Sequence, residues 1–357
     1  MIHPGTLWYD TDRKLIQAHG GGICVMQENN QTVYYWYGED KTLGYRPLVG
    51  IHSYKSTDLI NWTDMGVVLK AMDSMDEFNE PYFHALYGNC SDAEKAYIFN
   101  DLNKNRAVME RPKVIYNAKN NNYVMWFHAD GPTATSDANY AKAKAAVAVS
   151  DKPEGPFRLM GSYRLDHYGG EDYAHNPGMA RDMTVFQDGD DAYIVYASEE
   201  NFTLYISKLN EDYTHITSGG CESENYKPIE GKDYVRIFPR AHREAPALFK
   251  HKDTYYMITS GCSGWNPNPA LYAKADHIMG LWVNMGDPCV QDVEQLTFKS
   301  QSTHILPLDP EHGKYLYMGD RWVPKDLCHS TYIWLPLHIT PDGGVAIEYH
   351  DEWLLNV

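Results

Sequence analysis

The feature that most constrains this chain is a hairpin that recurs five times. A tyrosine opens an apolar, aromatic-rich strand in QTVYYWYGED, NNNYVMWFHAD, DDAYIVYASEE, KDTYYMITSGC and GKYLYMGDRW. These are Tyr34, Tyr123, Tyr193, Tyr255 and Tyr315, so successive copies stand 89, 70, 62 and 60 residues apart. Before each comes a second short apolar run (GGICVM, KVIYN, MTVFQD, ALFKH, HILPL), joined to it by a polar turn such as ENNQ, AKNN or DGDD. β-Branched and aromatic residues between Gly, Asn and Asp read as strands, and two such runs about a short turn read as a hairpin. Four copies continue into a third strand, in YKSTDLINW, AVSDKPEGPF, YISKLNEDY and YAKADHIMGLW. A meander this small cannot bury its own faces, so five of them must pack round a common axis. The expectation is an all-β chain forming a single five-bladed β-propeller over residues 1–357. The last segment, AIEYHDEWLLNV, is expected to close the ring with the first blade, and DAEKAYIFNDLNKNRA is the best candidate for a short helix. A two-sheet sandwich, the other architecture for such strands, leaves five similar hairpins unexplained.

In a propeller the innermost strands all begin round one axial funnel. Residues at the same place in each strand entry therefore converge, although they lie far apart in sequence. Four residues before an apolar position in each first strand stand His19, Glu110, Arg181, Glu244 and Gln301, with Asp182 next to Arg181 as the side chain expected to point inward. Glu110, Asp182 and Glu244 would crowd three carboxylates into one pocket, which pushes at least one pKa upward. A proton donor for a glycosidic oxygen needs such a raised pKa, with a partner opposite to activate water. The competing reading pairs each carboxylate with an adjacent Arg111, Arg181 or Arg243, locking blades together. His304 is expected to be a satisfied core histidine, the alternative being a holder of an axial ion or water.

Composition narrows the ligand. With 31 basic and 48 acidic residues the formal charge is −17, which repels nucleic acid and anionic membrane surfaces and suits a neutral oligo- or polysaccharide. The 28 tyrosines and 9 tryptophans mostly fill sheets, but leave enough for some to pack on the C–H face of a sugar. No apolar run is long enough to span a membrane. The start, MIHPGTLWYD, lacks the basic end and apolar stretch of a signal peptide. A cytoplasmic place is expected for the chain as it stands, and a secreted one if a leader was removed. The six cysteines form no CxxC pair and need no disulfide framework, although Cys262 and Cys289 could join. HGGG at residues 19–22 has no GxSxG nucleophile elbow to serve. His242, Arg243 and Glu244 resemble the HxE of a zinc deaminase, yet Cys289 has no partner two residues on. P-loop, GxGxxG and HExxH signatures do not occur. No cofactor is expected, and a metal is left open.

The strings IQAHGGGI, YYWYGE, ERPKVIYN, ARDMTVF, YASEENFTLYISKL, REAPALF, YYMITSGCSGW, SQSTHILPL and MGDRW resemble glycoside hydrolase family 43, and most of all its exo-β-1,3-galactanase branch. The resemblance runs from about Leu15 to Trp353. It implies an inverting propeller enzyme that releases terminal galactose from β-1,3-galactan chains of the arabinogalactan type. An α-L-arabinofuranosidase or β-xylosidase is the alternative within the family, and a non-catalytic sugar-binding propeller the alternative outside it. A phosphorylase would need a basic phosphate pocket, and no cluster supplies one. The resemblance further implies Glu244 in REAP as the general acid and Asp182 in RDM as the residue that tunes and orients it. Most of the family carries an Asp base on the first blade, where this chain has Gln17 and His19. The galactanase-like branch is matched instead at Gln301 in SQST, and Glu110 in ERPK is implied as a ligand of substrate or water. A neutral amide is a very poor base, so Gln301 would act as an imidic acid or by placing water, or else Glu110 takes the proton. Further substrate contacts are expected from Gln17 and His19, and from Glu39, Glu199 or Glu200, and Ser263 at strand ends, with Trp265 or Trp322 as the stacking floor.

Overall fold

The computed structural model describes residues 1–169 and 176–355. The chain is a five-bladed β-propeller, with five antiparallel sheets laid down in chain order. Blade one comprises His19–Glu28, Gln31–Glu39, Gly50–Ser56 and Thr63–Lys70. Blade two comprises Val108–Asn117, Asn122–Asp130, Lys144–Ser150 and Arg158–Tyr163, and blade three Met183–Asp188, Asp191–Ser198, Thr203–Lys208 and Tyr234–Ile237. Blade four comprises Arg243–His251, Thr254–Gly261, Leu271–Ala275 and Val283–Gly286. Blade five comprises Gln301–Asp309, Lys314–Arg321, Thr331–Ile339 and Val345–Glu348, with Cys289–Val290 added in parallel on its outer edge. The first strand of every blade touches the first strands of both its neighbours, which closes the inner ring.

Second strands read as unbroken apolar runs because both faces are covered. Successive strand residues point to opposite faces, and here each face meets a different blade. In blade one, Tyr35 and Tyr37 pack toward blade two, while Tyr34 and Trp36 pack toward blade five. Met125 and Phe127 face blade one and Val124 and Trp126 face blade three; the same alternation continues through Ile194 and Val195, then Met257 and Ile258. Each junction between blades thus holds its own apolar cluster, and stability is shared round the ring.

The spacing of 89 residues between the first two anchors comes from an insertion between blades one and two. It contains the helix Asp92–Leu102, in the segment expected to be helical, started by a capping box of Ser91 and Glu94. A second helix, Pro81–Tyr87, was not foreseen; it is only two turns long, and Phe83 and Tyr87 bury it against the junction of blades one and two.

Ring closure differs from the expectation. Val345–Glu348 pairs with the third strand of blade five and adds nothing to blade one. The seam is closed instead by the N-terminal segment, which hydrogen-bonds to both sides. Ile2 exchanges backbone bonds with Trp353, Gly5 N donates to Tyr332 O, and Thr11 N donates to Trp62 O of the first blade. Trp8, Trp36, Trp62 and Trp334 interlock across the join, with Trp36 and Trp334 4.8 Å apart between ring centroids. Trp334→Ala is expected to cost about 3–5 kcal/mol of stability, the usual range for emptying a buried tryptophan site. Urea titration checks this, and a cost below about 1 kcal/mol would show that the seam is not held by this cluster.

Candidate active site

The strand entries converge on the axis as the repeat implied, and a local irregularity aims them. In blades one, two and four the pairing slips just after the entry residue, between His19 and Gly22, Glu110 and Lys113, and Glu244 and Ala247. The residue after each entry (Gly20, Arg111, Ala245) has a left-handed backbone with φ between 50° and 60°. Such a bulge re-aims the neighbouring side chains. At the first position only glycine fits, because a Cβ on Gly20 would collide with the Glu39 carboxylate.

A funnel of about 450 Å³ results, lined by Glu110, Asp182, Glu244 and Gln301 with Arg111 among them. Arg111 reaches from blade two across the axis. Its Nη2 lies 3.0 Å from Asp182 Oδ2 and donates to Gln301 Oε1 at 2.6 Å, and its Nη1 donates to Ser302 O at 2.9 Å. The Arg111 backbone N–H donates to Glu39 Oε1 at 3.0 Å. The ion pairs between sequence neighbours are not what forms. Arg111 meets Asp182 rather than Glu110, Arg181 meets Glu200, and Arg243 donates to Thr259 and Pro269 without meeting a carboxylate.

Glu244 is 7% exposed, and its carboxyl is raised to about 8. Burial is the main cause and the Asp182 charge adds to it, against the opposing pull of Arg111 and of a hydrogen bond from the Cys262 thiol. Gln301 Nε2 donates to Glu244 Oε1 at 3.0 Å. Glu110 behaves oppositely. Burial works to raise it, but His128 at 3.2 Å, Lys41 and the Tyr140 hydroxyl hold it ionised down to about 2. His128 is itself held between Glu110 and Asp130, whose charges overcome burial and lift the imidazole to about 10. One acid that stays neutral and one that stays charged thus share a pocket, the arrangement by which proteins separate acid from base roles.

Not every expected residue lines the funnel. Glu39, Trp265 and Trp322 do, with both Glu39 oxygens already engaged by Lys41 Nζ and Arg111 N. Gln17 lies beneath the seam, bonded to Cys328 O and Lys41 N. His19 is fully buried, stacked on Tyr332 and 3.6 Å from Asp320. Glu199 is tied to Thr203, Tyr205 and Arg236 within blade three, while Ser263 caps an exposed turn through Asn266 and Asn268. Glu199 and Ser263 are taken by partners within their own blade, whereas Gln17 and His19 are taken by residues at the join of blades one and five, so a place at a strand end does not by itself deliver a side chain to the funnel. All six cysteines are free thiols; Cys262 stands at the funnel and Cys289 on the outer edge of blade five, so the pairing considered from sequence does not form. The sequence reading passed over His128, Tyr45, Tyr140 and Cys262, and took Arg111 only as a possible partner for Glu110. His128 had a signal, since it stands directly across the hairpin from Glu110.

Glu110, His128 and Asp182 bring potential ligand atoms within 4.8 Å of one another. They fit an ion-pair lattice better than a metal, because both His128 nitrogens face carboxylates and Arg111 already meets Asp182. Further along the axis a second cavity holds His304 beside Lys113. Burial and that lysine push His304 down to about 3, so its imidazole stays neutral there.

Glycosyl hydrolases family 43 is the family model that the chain matches, over residues 24–315. No curated protein matches it. Among solved structures, it is similar to a family 43 β-1,3-galactosidase in complex with galactodeoxynojirimycin, at 37% identity and TM-score 0.79, covering 99% of this chain and 100% of that one. It is similar to the exo-β-1,3-galactanase of Phanerochaete chrysosporium with β-1,3-galactotriose, at 32% identity and TM-score 0.77, covering 100% of this chain and 68% of that one. The exo-β-1,3-galactanase of Clostridium thermocellum matches at 33% identity and TM-score 0.75, covering 98% of this chain and 65% of that one.

The pKa split is directly measurable. In protein labelled with ¹³C at the glutamate carboxyl, Glu244 is expected to titrate near 8, and Asp182→Asn is expected to move that midpoint downward by removing a like charge. An unchanged midpoint in the variant would separate Asp182 from the acid.

Proposed function

Because the chain belongs to glycosyl hydrolase family 43, and is therefore a glycoside hydrolase, we propose that it is an exo-acting β-1,3-galactanase that releases terminal galactose with inversion. The observation that carries this is Glu244, raised to about 8, on the wall of a funnel of about 450 Å³. Arg111 reaches across it from blade two to blades three and five, beside Asp182 and Gln301. A pocket of a few hundred Å³ with few polar groups is of ordinary size for a small ligand. Galactose as the terminal sugar is supported by the ligands named in the similar structures.

Glu244, neutral at physiological pH, gives its proton to the departing glycosidic oxygen as the bond from the anomeric carbon breaks. Asp182 keeps that proton in place by its charge. A water on the opposite face attacks the anomeric carbon; Gln301 already donates to Glu244 on the acid's side, and Glu110 takes the proton, because only a carboxylate is basic near neutral pH. Trp265, 5.4 Å from Tyr45 and 6.4 Å from Trp322, forms an aromatic rim on which the next sugar stacks. A sugar-binding protein without catalysis has no use for a carboxyl raised to about 8.

Purified protein given β-1,3-galactobiose is expected to release galactose whose first-formed anomer, followed by proton NMR, is the α form. Retention of configuration, or hydrolysis of arabinofuranosides and xylosides in preference to galactosides, would overturn the reading. Glu244→Gln is expected to lower turnover of galactobiose by on the order of a thousandfold and of an activated aryl galactoside much less, since a good leaving group hardly needs the proton. Azide or formate is expected to restore turnover to Glu110→Ala. Rescue of Gln301→Ala instead would exchange the roles of the two residues.

A further inference from the structure

Gln301 Oε1 faces two groups that can only donate. Arg111 Nη2 lies 2.6 Å from it and the indole Nε1 of Trp322 lies 3.1 Å from it. A guanidinium and an indole N–H have no lone pair to offer, so the oxygen of the amide, not its NH₂, must stand on that side. The NH₂ group is therefore turned toward Glu244, where it meets Oε1 at 3.0 Å. The carbonyl oxygen of a neutral carboxyl is its better acceptor, so this donor favours the proton on Oε2. The imidic-acid form of Gln301 would carry a hydroxyl hydrogen pointing into two donors, and the site resists it.

We infer that Trp322, through its indole N–H, is a positioning residue that together with Arg111 fixes Gln301 as a hydrogen-bond donor to Glu244 and so directs the acidic proton to the Glu244 Oε2 atom. Trp322 acts at its edge as well as its face, in contrast to a floor that only stacks. Its ring is held for this purpose, 5.4 Å from His19 and 6.4 Å from Trp265 between centroids. Gln301, 4% exposed, has no other side-chain partner among the described residues. Losing the indole N–H while keeping an aromatic ring should free the amide to turn, and a turned amide presents its oxygen to Glu244 rather than its NH₂. This inference rests on Glu244 as the general acid, but its first test needs no substrate.

The experiment is a double-mutant cycle of Trp322→Phe and Gln301→Ala, read by ¹³C titration of Glu244 in the free protein and then by kinetics on β-1,3-galactobiose. A donor to the ionised carboxylate favours the charged form, so each single variant is expected to raise the Glu244 midpoint, and the double variant to match Gln301→Ala alone. In kinetics Trp322→Phe is expected to lower kcat about tenfold, the effect of one misplaced hydrogen bond, with KM changed less than about twofold. It should do nothing further in the Gln301→Ala background. A merely stacking Trp322 predicts the reverse: an unmoved Glu244 midpoint, a raised KM and additive effects, and that result would overturn the inference. Should Trp322→Phe fold poorly, Gln301→Glu gives the same answer. The fixed geometry then sets a carboxylate oxygen against Glu244, the two must share a proton, and the Glu244 midpoint rises; no rise would mean that the side chain is not held in place. If the titrations behave as expected while galactobiose stays intact, the assignment of substrate fails and the positioning role stands.

Discussion

A single buried guanidinium holds the site together. Arg111 is supplied by blade two, yet its bonds end on blades one, three and five, at Glu39, Asp182, Gln301 and Ser302. Burying a charge is tolerable only when it is well partnered, and here Nη1, both hydrogens of Nη2 and the backbone N–H each meet an acceptor. The left-handed backbone that delivers it costs of order 1–3 kcal/mol for a residue with a side chain, which the surrounding bonds must over-determine. The consequence is geometric. Blades that elsewhere meet through apolar clusters and scattered polar contacts are registered to one another at the axis, and the side chains on their entries inherit that register. A charge-neutral replacement at this position would leave Asp182 without the cation that faces it.

The propeller itself was legible because its repeat is a repeat of physical need. A second strand covered on both faces must be apolar throughout, and it must be stopped by a turn; both marks appear in all five copies. Ring closure was not legible. The segment from Val345 has the composition of a strand and forms one, but composition does not say which edge it joins, and the edge beside it belonged to its own blade. The N-terminal residues that do close the seam make backbone bonds from irregular structure, which carries no periodic signal.

The site shows the same division. Entry positions of the first strands located Glu110, Asp182, Glu244 and Gln301 because convergence follows from the architecture. Its counterpart on the second strand lies five residues past each tyrosine anchor, at Glu39, His128, Ser198, Ser260 and Asp320, and four of these pair directly with an entry residue. Applied there, the same argument would have found His128 and Asp320. What no repeat could give is the destination of a long side chain. Glu199 ends a strand as Glu39 does, yet Arg236 on the outermost strand of its own blade captures it. Gln17 and His19 are near the axis in sequence terms, and Lys41 and Cys328 take the first and Tyr332 and Asp320 the second.

The chemistry depends on keeping two carboxyls of one funnel in opposite states, and charge balance round the axis explains how. Among the described residues Glu39, Glu110, Asp130 and Asp182 share Lys41, Arg111 and His128 as close cations, so acids outnumber cations before Glu244 is considered. Arg111 is shared, Lys41 and His128 are committed to Glu39 and Glu110, and the guanidinium of the adjacent Arg243 turns to Thr259 and Pro269, so Glu244 meets no ion-pair partner among the described residues. Glu244 therefore holds its proton, and burial behind Cys262 and Trp322 removes the water that could have stabilised the anion. Glu110 escapes this fate through one residue, since His128 brings a positive charge that Asp130 anchors from behind. The difference between the acid and its ionised neighbour lies in which of them stands across a hairpin from a histidine, with serine holding that place opposite Glu244. By the same logic, exchanging those two opposing residues would lower Glu244 and raise Glu110, reversing the asymmetry on which the proton donor and the proton acceptor depend.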